Sequence, residues 1–172
     1  MSAPDQVFRA DEILRTLRGH LVDFVVVGGI AVIVHGYIRN TKDLDIVVRP
    51  TSLNLSRLSE ALAALEAEPR GSAGMNLADP HELRRAPVVS IMTKAGRLDV
   101  VNIEHLAGSP ASYESLREAA IMVELRGLEL AVAGLSDLIR MKRAAGRKHD
   151  LADIEALTHR PDDRPDGRGE ST

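Results

Sequence analysis

At 172 residues, with 44% hydrophobic and 27% charged side chains, the chain has the composition of one ordinary globular domain with a sizeable core. A formal charge of −3 excludes a generally basic nucleic-acid binder, so any RNA or DNA contact must use a local patch. The lack of cysteine excludes disulfides and thiolate metal sites. The only aromatics, Phe8, Phe24, Tyr37 and Tyr113, do not make a base-stacking platform.

In chain order, residues 5–19 read as an amphipathic helix with Val7, Phe8, Ile13, Leu14 and Leu17 on one face. The start MSAPDQVFRADEIL has no signal-peptide core, and no apolar run reaches the roughly 20 residues of a membrane span. The expected setting is cytoplasmic, with no membrane partner. Val22–Val27 fits a buried strand, Gly29–Tyr37 a short apolar helix ended by Gly36, and Asp43–Arg49 the next strand, stopped by Pro50. Thr51 or Ser52 can cap a helix to about Ala67, striped by Leu55, Leu58, Leu62 and Leu65.

Residues 68–87 are rich in Gly, Pro and charge and read as the longest loop, with room for a short helix. Val88–Thr93 and Arg97–Ile103 form a hairpin around Lys94-Ala95-Gly96. A helix is expected over Ala111–Ala119, and two short strands flank Arg126-Gly127. Ser136 can cap a helix from Asp137 to about Ala145, closed by Gly146, and a last helix covers about Lys148–Leu157. The segment 159–172, Pro/Gly/charge-rich, reads as a disordered tail. The whole predicts one α/β (α+β) domain over 1–158: a mixed β-sheet core at about 20–105 flanked by helices, then C-terminal strands and helices at about 111–157.

The chemistry concentrates between Gly28 and Ile46. Side chains i and i+2 of a strand share a face, so Asp43 and Asp45 leave one face while Leu44 and Ile46 enter the core. Two adjacent carboxylates repel unless a cation sits between them, and a hard divalent ion such as Mg²⁺ suits them. Asp99, within Arg97-Leu98-Asp99-Val100-Val101, is embedded in the same way. Three such acids on adjacent strands can hold two metal ions about 4 Å apart, the spacing of in-line phosphoryl displacement. Gly28-Gly29, at a strand-to-helix turn, exposes bare amides to which a phosphate chain can come close.

Structural readings stand beside these. Asp43 and Asp45 also read as a wet strand end, and Asp99 as a salt-bridge partner. His35 reads as packed or hydrogen-bonded rather than catalytic. Arg39 reads equally as a pocket residue and as a neutraliser of nearby acids. Arg140, Lys142, Arg143, Arg147 and Lys148 form a basic cluster that is partly a solvated face, Lys142 being its best pocket candidate. Asp150 and Asp153 fit the acidic first turn of the last helix.

Gly28-Gly29, His35-Gly36, Arg39-Asn40-Thr41, Asp43-Leu44-Asp45 and the distal Leu98-Asp99-Val100 together resemble the DNA polymerase β-like nucleotidyltransferase superfamily. With DLIRMKRAAGRKHDLADIEAL they are similar to its AbiEii-type toxin branch of minimal nucleotidyltransferases. The resemblance spans about residues 20–157. It implies transfer of a nucleoside monophosphate from an NTP to an acceptor hydroxyl, with two Mg²⁺ ions and pyrophosphate release. It implies that Asp43, Asp45 and Asp99 bind metal, and that Gly28, Gly29, Arg39 and Thr41 bind nucleotide. Lys142 would neutralise triphosphate charge, and Asp150 matches a further acid of the C-terminal motif. Many members have Gly-Ser where this chain has Gly28-Gly29, so affinity or nucleotide choice is expected to differ. The acceptor implied is a tRNA 3′ end or a protein, in a toxin–antitoxin setting with a cognate antitoxin. The alternatives are a small antibiotic of aminoglycoside or lincosamide type, or a nucleotide-binding module without turnover.

Overall fold

A computed structural model of the chain describes residues 7–71, 74–106, 108, 110 and 112–159. Its centre is a seven-stranded mixed sheet with the order β3-β4-β5-β2-β1-β7-β6. The strands are β1 (Phe24–Val27), β2 (Asp43–Val48), β3 (Glu68–Pro69), β4 (Val88–Thr93), β5 (Gly96–Val101), β6 (Ile121–Leu125) and β7 (Leu128–Val132). The α-helices are α1 (Ala10–Gly19), α2 (Gly28–Val34), α3 (Ser52–Ala64), α4 (Tyr113–Glu118), α5 (Leu135–Ala145) and α6 (Lys148–Thr158). β1 runs antiparallel to β2 and parallel to β7, and β2 runs parallel to β5.

Every residue of β1 is buried because both faces of the sheet are covered at its centre. Val26, Leu44, Ile46, Leu98 and Val100 pack with Ile13, Leu14 and Leu17 of α1 and Leu55, Leu58 and Leu62 of α3. On the other face Val25, Val27, Val47 and Val101 pack with Tyr113 and Leu116 of α4 and Met141 of α5. Each fully buried aliphatic side chain contributes roughly 1.5–3 kcal/mol. Strand alternation sends Asp43, Asp45 and Asp99 to this second face, beyond the stretch that α4 covers.

The expected elements are present, with shifted bounds. The first helix begins at Ala10 rather than near residue 5: Arg9 N–H donates to Ala95 O, which holds the preceding backbone at the β4–β5 turn. The 68–87 loop carries two pieces of regular structure. Glu68–Pro69 pairs with β4, and a 3₁₀ turn at Glu82–Arg84 seats the fully buried Leu83. Thr51, not Ser52, caps α3, accepting from Asn54 N–H. Gly134 rather than Ser136 precedes α5, which starts at Leu135. The second hairpin strand stops at Val101, and Ile103–His105 turns into a 3₁₀ helix. Ala111 and residues 160–172, nearly all of the expected tail, lie outside the described residues.

Candidate active site

The parallel register of β2 and β5 puts Asp45 directly opposite Asp99 and Asp43 opposite Arg97. Asp45 also faces Val27 across β1, and Asp99 faces Ser90 across β4. The sheet surface therefore carries a row of Val27, Asp45, Asp99 and Ser90, with Asp43 one step along β2. The three acids of the sequence pattern are brought together on one face.

Their environments differ. The Asp45 carboxyl is pushed up to about 7, first by burial and then by the charges of Asp43 and Asp99; Lys142 and Arg147 oppose the shift. Asp99 is nearly buried and is gripped by Arg97, whose Nε and Nη2 donate to Oδ1 and Oδ2 at 3.2 and 2.7 Å. Arg97 Nη1 also lies 3.7 Å from Asp43 Oδ2. Thr41 Oγ1 donates to the Asp43 carbonyl and Oδ1 at 3.1 and 3.3 Å. Among the described residues no three acids or histidines close on one point as a ready cation cage; Arg97 and Thr41 each bond one of the carboxylates.

Gly28 has φ +65, and a Cβ there would sit 2.2 Å from Asp45 Oδ2. The carboxylate thus lies against the bare backbone at the β1–α2 bend. A Cβ on Gly29 would come 2.8 Å from Thr41 Oγ1 and 3.7 Å from Arg39 Cζ. Glycine at both positions follows from these close approaches.

Lys142 of α5 is buried and contacts Asp150 Oδ1 at 3.1 Å and Asp153 Oδ2 at 2.7 Å, both on α6. Asp150 also accepts from Arg147 Nε at 2.8 Å and from the Arg147 backbone N–H at 3.3 Å. Burial opposes ionisation of Asp150, but the bonds from Arg147 and Lys142 outweigh it and hold the carboxyl below its ordinary range. Arg39 pairs with Asp153 and so ties the β2 approach to α6. Three cations surround two carboxylates, which leaves this cluster positive beside the acidic row. A cavity of about 200 Å³ joins the two: Asp45, Asp99, Lys142 and Arg147 line one part, and Val101, Leu138 and Met141 the apolar part. A cavity of about 260 Å³ at Tyr113, Arg117 and Glu129 contains none of the three acids.

His35 takes the structural reading: its Nε2 is 2.8 Å from Ala133 O, fastening the end of α2 to the end of β7. Arg97, Arg147 and Asp153 are the residues that sequence reasoning left out of the site. Arg97 left a signal in being two positions before Asp99 on one strand and hence on its face, and Arg147 and Asp153 left one in flanking Asp150 in the Arg-x-x-Asp-x-x-Asp run of the C-terminal motif.

A mixed sheet bearing paired strand acids beside a glycine bend is the arrangement that the sequence resemblance to nucleotidyltransferases implies. The lincosamide antibiotic adenylyltransferase LnuA, solved with lincomycin bound, is similar in fold at a TM-score of 0.60 and 15% identity, over 88% of this chain and 97% of that one. ANT(2″)-Ia, solved with adenylyl-2″-tobramycin, matches at 0.58 and 13% identity, over 86% and 84%. An antigenic nucleotidyltransferase-like protein from Paracoccidioides brasiliensis matches at 0.56 and 15% identity, over 87% and 77%. No curated protein matches the sequence significantly. The model of the family described as nucleotidyltransferase of unknown function (DUF6036) matches residues 5–159, and the chain belongs to that family. It is a transferase enzyme, and none of its described helices is long and apolar enough to cross a membrane.

Proposed function

We propose that the enzyme moves a nucleoside monophosphate from an NTP to an acceptor hydroxyl in a Mg²⁺-dependent reaction that releases pyrophosphate. The observation that carries this is the register of Asp45 against Asp99, with Asp43 on the same face. The donor set fits hard cations: it is all carboxylate oxygen, and burial together with the charges of Asp43 and Asp99 raises the pKa of Asp45, a strain that a divalent ion would relieve. Asp43, Asp45 and Asp99 would hold two Mg²⁺ ions, which supply charge neutralisation of the triphosphate and of the leaving pyrophosphate.

The residues of the chain do the rest. Gly28 and Gly29 let the β,γ-phosphates approach the backbone. Arg39 and Thr41, packed over Gly29, shape the nucleotide side. Lys142 and Arg147 turn a positive wall towards the triphosphate, with Asp150 and Asp153 fixing Lys142 in place. The acceptor oxygen attacks the α-phosphorus as the bond to pyrophosphate breaks, and Asp99 takes the acceptor proton.

The first acceptor reading is a tRNA 3′ end or a protein hydroxyl, for a cytoplasmic AbiEii-type toxin held in check by an antitoxin. The cluster of Arg39, Lys142 and Arg147, one positive charge in excess of Asp150 and Asp153, supports an anionic acceptor. The second reading is a small amphiphilic antibiotic, favoured by the apolar stretch of Val101, Leu138 and Met141 next to Asp99. Incubation with each labelled NTP, Mg²⁺ and either total tRNA, purified protein, or an aminoglycoside and a lincosamide tests both. Label on tRNA or protein supports the first reading and label on a drug the second. Binding without pyrophosphate release from any mixture overturns the transfer.

A further inference from the structure

Arg97 sits where nothing in the proposed reaction requires a positive charge. It lies on the face of the three acids because it is two positions before Asp99 on β5 and opposite Asp43 on β2. Its fork takes both oxygens of Asp99, and its third nitrogen leans on Asp43. A carboxylate has about four lone-pair positions, and the fork uses one on each oxygen of Asp99.

We propose that Arg97 is an internal counter-cation of the acidic row: it occupies carboxylates that a divalent ion would use and is exchanged for that ion. This rests on the reading of Asp43, Asp45 and Asp99 as a cation site. Burial decides which partner moves. The Asp99 side chain is 8% exposed and is set by the sheet, whereas that of Arg97 is 38% exposed and reaches water. A guanidinium leaving this grip regains hydration, while a carboxylate leaving it does not.

The exchange has two consequences. Without metal, the guanidinium relieves the repulsion that packs three acids on one face, so the cleft stays formed. With metal, the ion must overcome both the occupied oxygens and a positive charge a few ångströms away. Arg97 therefore weakens the hold on a free cation. A permanent orienting role for Arg97 predicts the opposite sign, since loosening Asp99 would then weaken cation binding.

The test is a Mn²⁺ titration of the full chain by electron paramagnetic resonance, with thermal melts with and without Mn²⁺, for the wild type, Arg97→Gln and Arg97→Lys. Removing one charge at this range should tighten Mn²⁺ binding by at least about fivefold in Arg97→Gln. The same variant should melt lower than the wild type without metal and gain more from Mn²⁺. Equal or weaker Mn²⁺ binding by a folded Arg97→Gln overturns the exchange and leaves the proposed function standing. If Arg97→Gln does not melt cooperatively, Arg97→Lys decides, because lysine keeps the charge but lacks the fork. Its affinity should rise about twofold, and an unchanged value overturns the proposal. If the wild type and both variants hold no Mn²⁺, even with a non-hydrolysable NTP analogue, the cation site itself is wrong, and the proposed function falls with it.

Discussion

Gly28 and Asp45 occupy complementary space: the carboxylate oxygen Oδ2 lies 2.2 Å from where a Cβ of residue 28 would be. The positive φ of +65 at Gly28 adds a second reason for glycine, since L side chains rarely adopt it. The Gly28-Gly29 bend is therefore shaped by the acid it faces as much as by any ligand.

Gly28→Ala should consequently act on Asp45. The new methyl group must push the carboxylate aside by about an ångström, and a displacement of that size at a reacting centre costs roughly 100-fold. Mg²⁺-dependent pyrophosphate release is expected to fall by about that factor in a protein that still folds. Retention of wild-type release would show that Asp45 need not lie against this backbone.

Asp45→Asn should separate stability from activity. The carboxyl has an ordinary value of 3.8 and is pushed up to about 7 in the fold. Between those values the folded metal-free protein holds a proton that the unfolded chain has lost. Stability from this group is thus present below about pH 4 and is lost as pH rises through 7. At pH 8 the asparagine variant, in chelator, should be more stable than the wild type, by up to about 4 kcal/mol. At pH 4 the two should converge, and Mg²⁺-dependent pyrophosphate release should vanish at either pH. Melting curves at both pH values read the sign; a variant less stable at pH 8 would contradict the burial argument.

Lys142→Ala leaves Asp150 and Asp153 buried without their shared cation. Removing one partner from a buried pair costs about 3–5 kcal/mol; Arg147 still pairs with Asp150 and Arg39 with Asp153, so denaturant midpoints should fall by up to that amount. Adding Asp153→Asn should recover part of that loss, because it removes the repulsion between two buried carboxylates that have lost their shared cation. Triphosphate affinity, measured where the single variant is still folded, should fall; an unchanged value would make Lys142 a purely structural tie between α5 and α6.

His35→Ala should cost stability and spare chemistry. It strands the Ala133 carbonyl at the end of β7, a loss of about 1–3 kcal/mol. Turnover per folded molecule should stay within about threefold of the wild type. A loss of 100-fold or more, with the melting temperature unchanged, would place His35 in the reaction.

Much of the architecture was legible from local patterns. The β-branched run before Gly28, the leucine stripe of α3 and the hairpin around Lys94-Ala95 each state their periodicity within a few residues. The bounds that shifted did so through distant contacts. Ala95 O holds Arg9 N–H and delays α1, and the pairing of Glu68–Pro69 with β4 turns part of an expected loop into a sheet edge.

By itself the sequence determined that Asp43, Asp45 and Asp99 leave their strands on the face opposite Leu44, Ile46, Leu98 and Val100, because alternation along a strand is a local property. Only the tertiary structure decided that Asp45 meets Asp99, that Arg97 grips Asp99 and leans on Asp43, and that Arg39 reaches Asp153 across 114 positions. Register between separate strands and docking of α6 are set by the burial of the whole core and by pairing of buried charges. Those are non-local balances, and no short window of residues contains both partners.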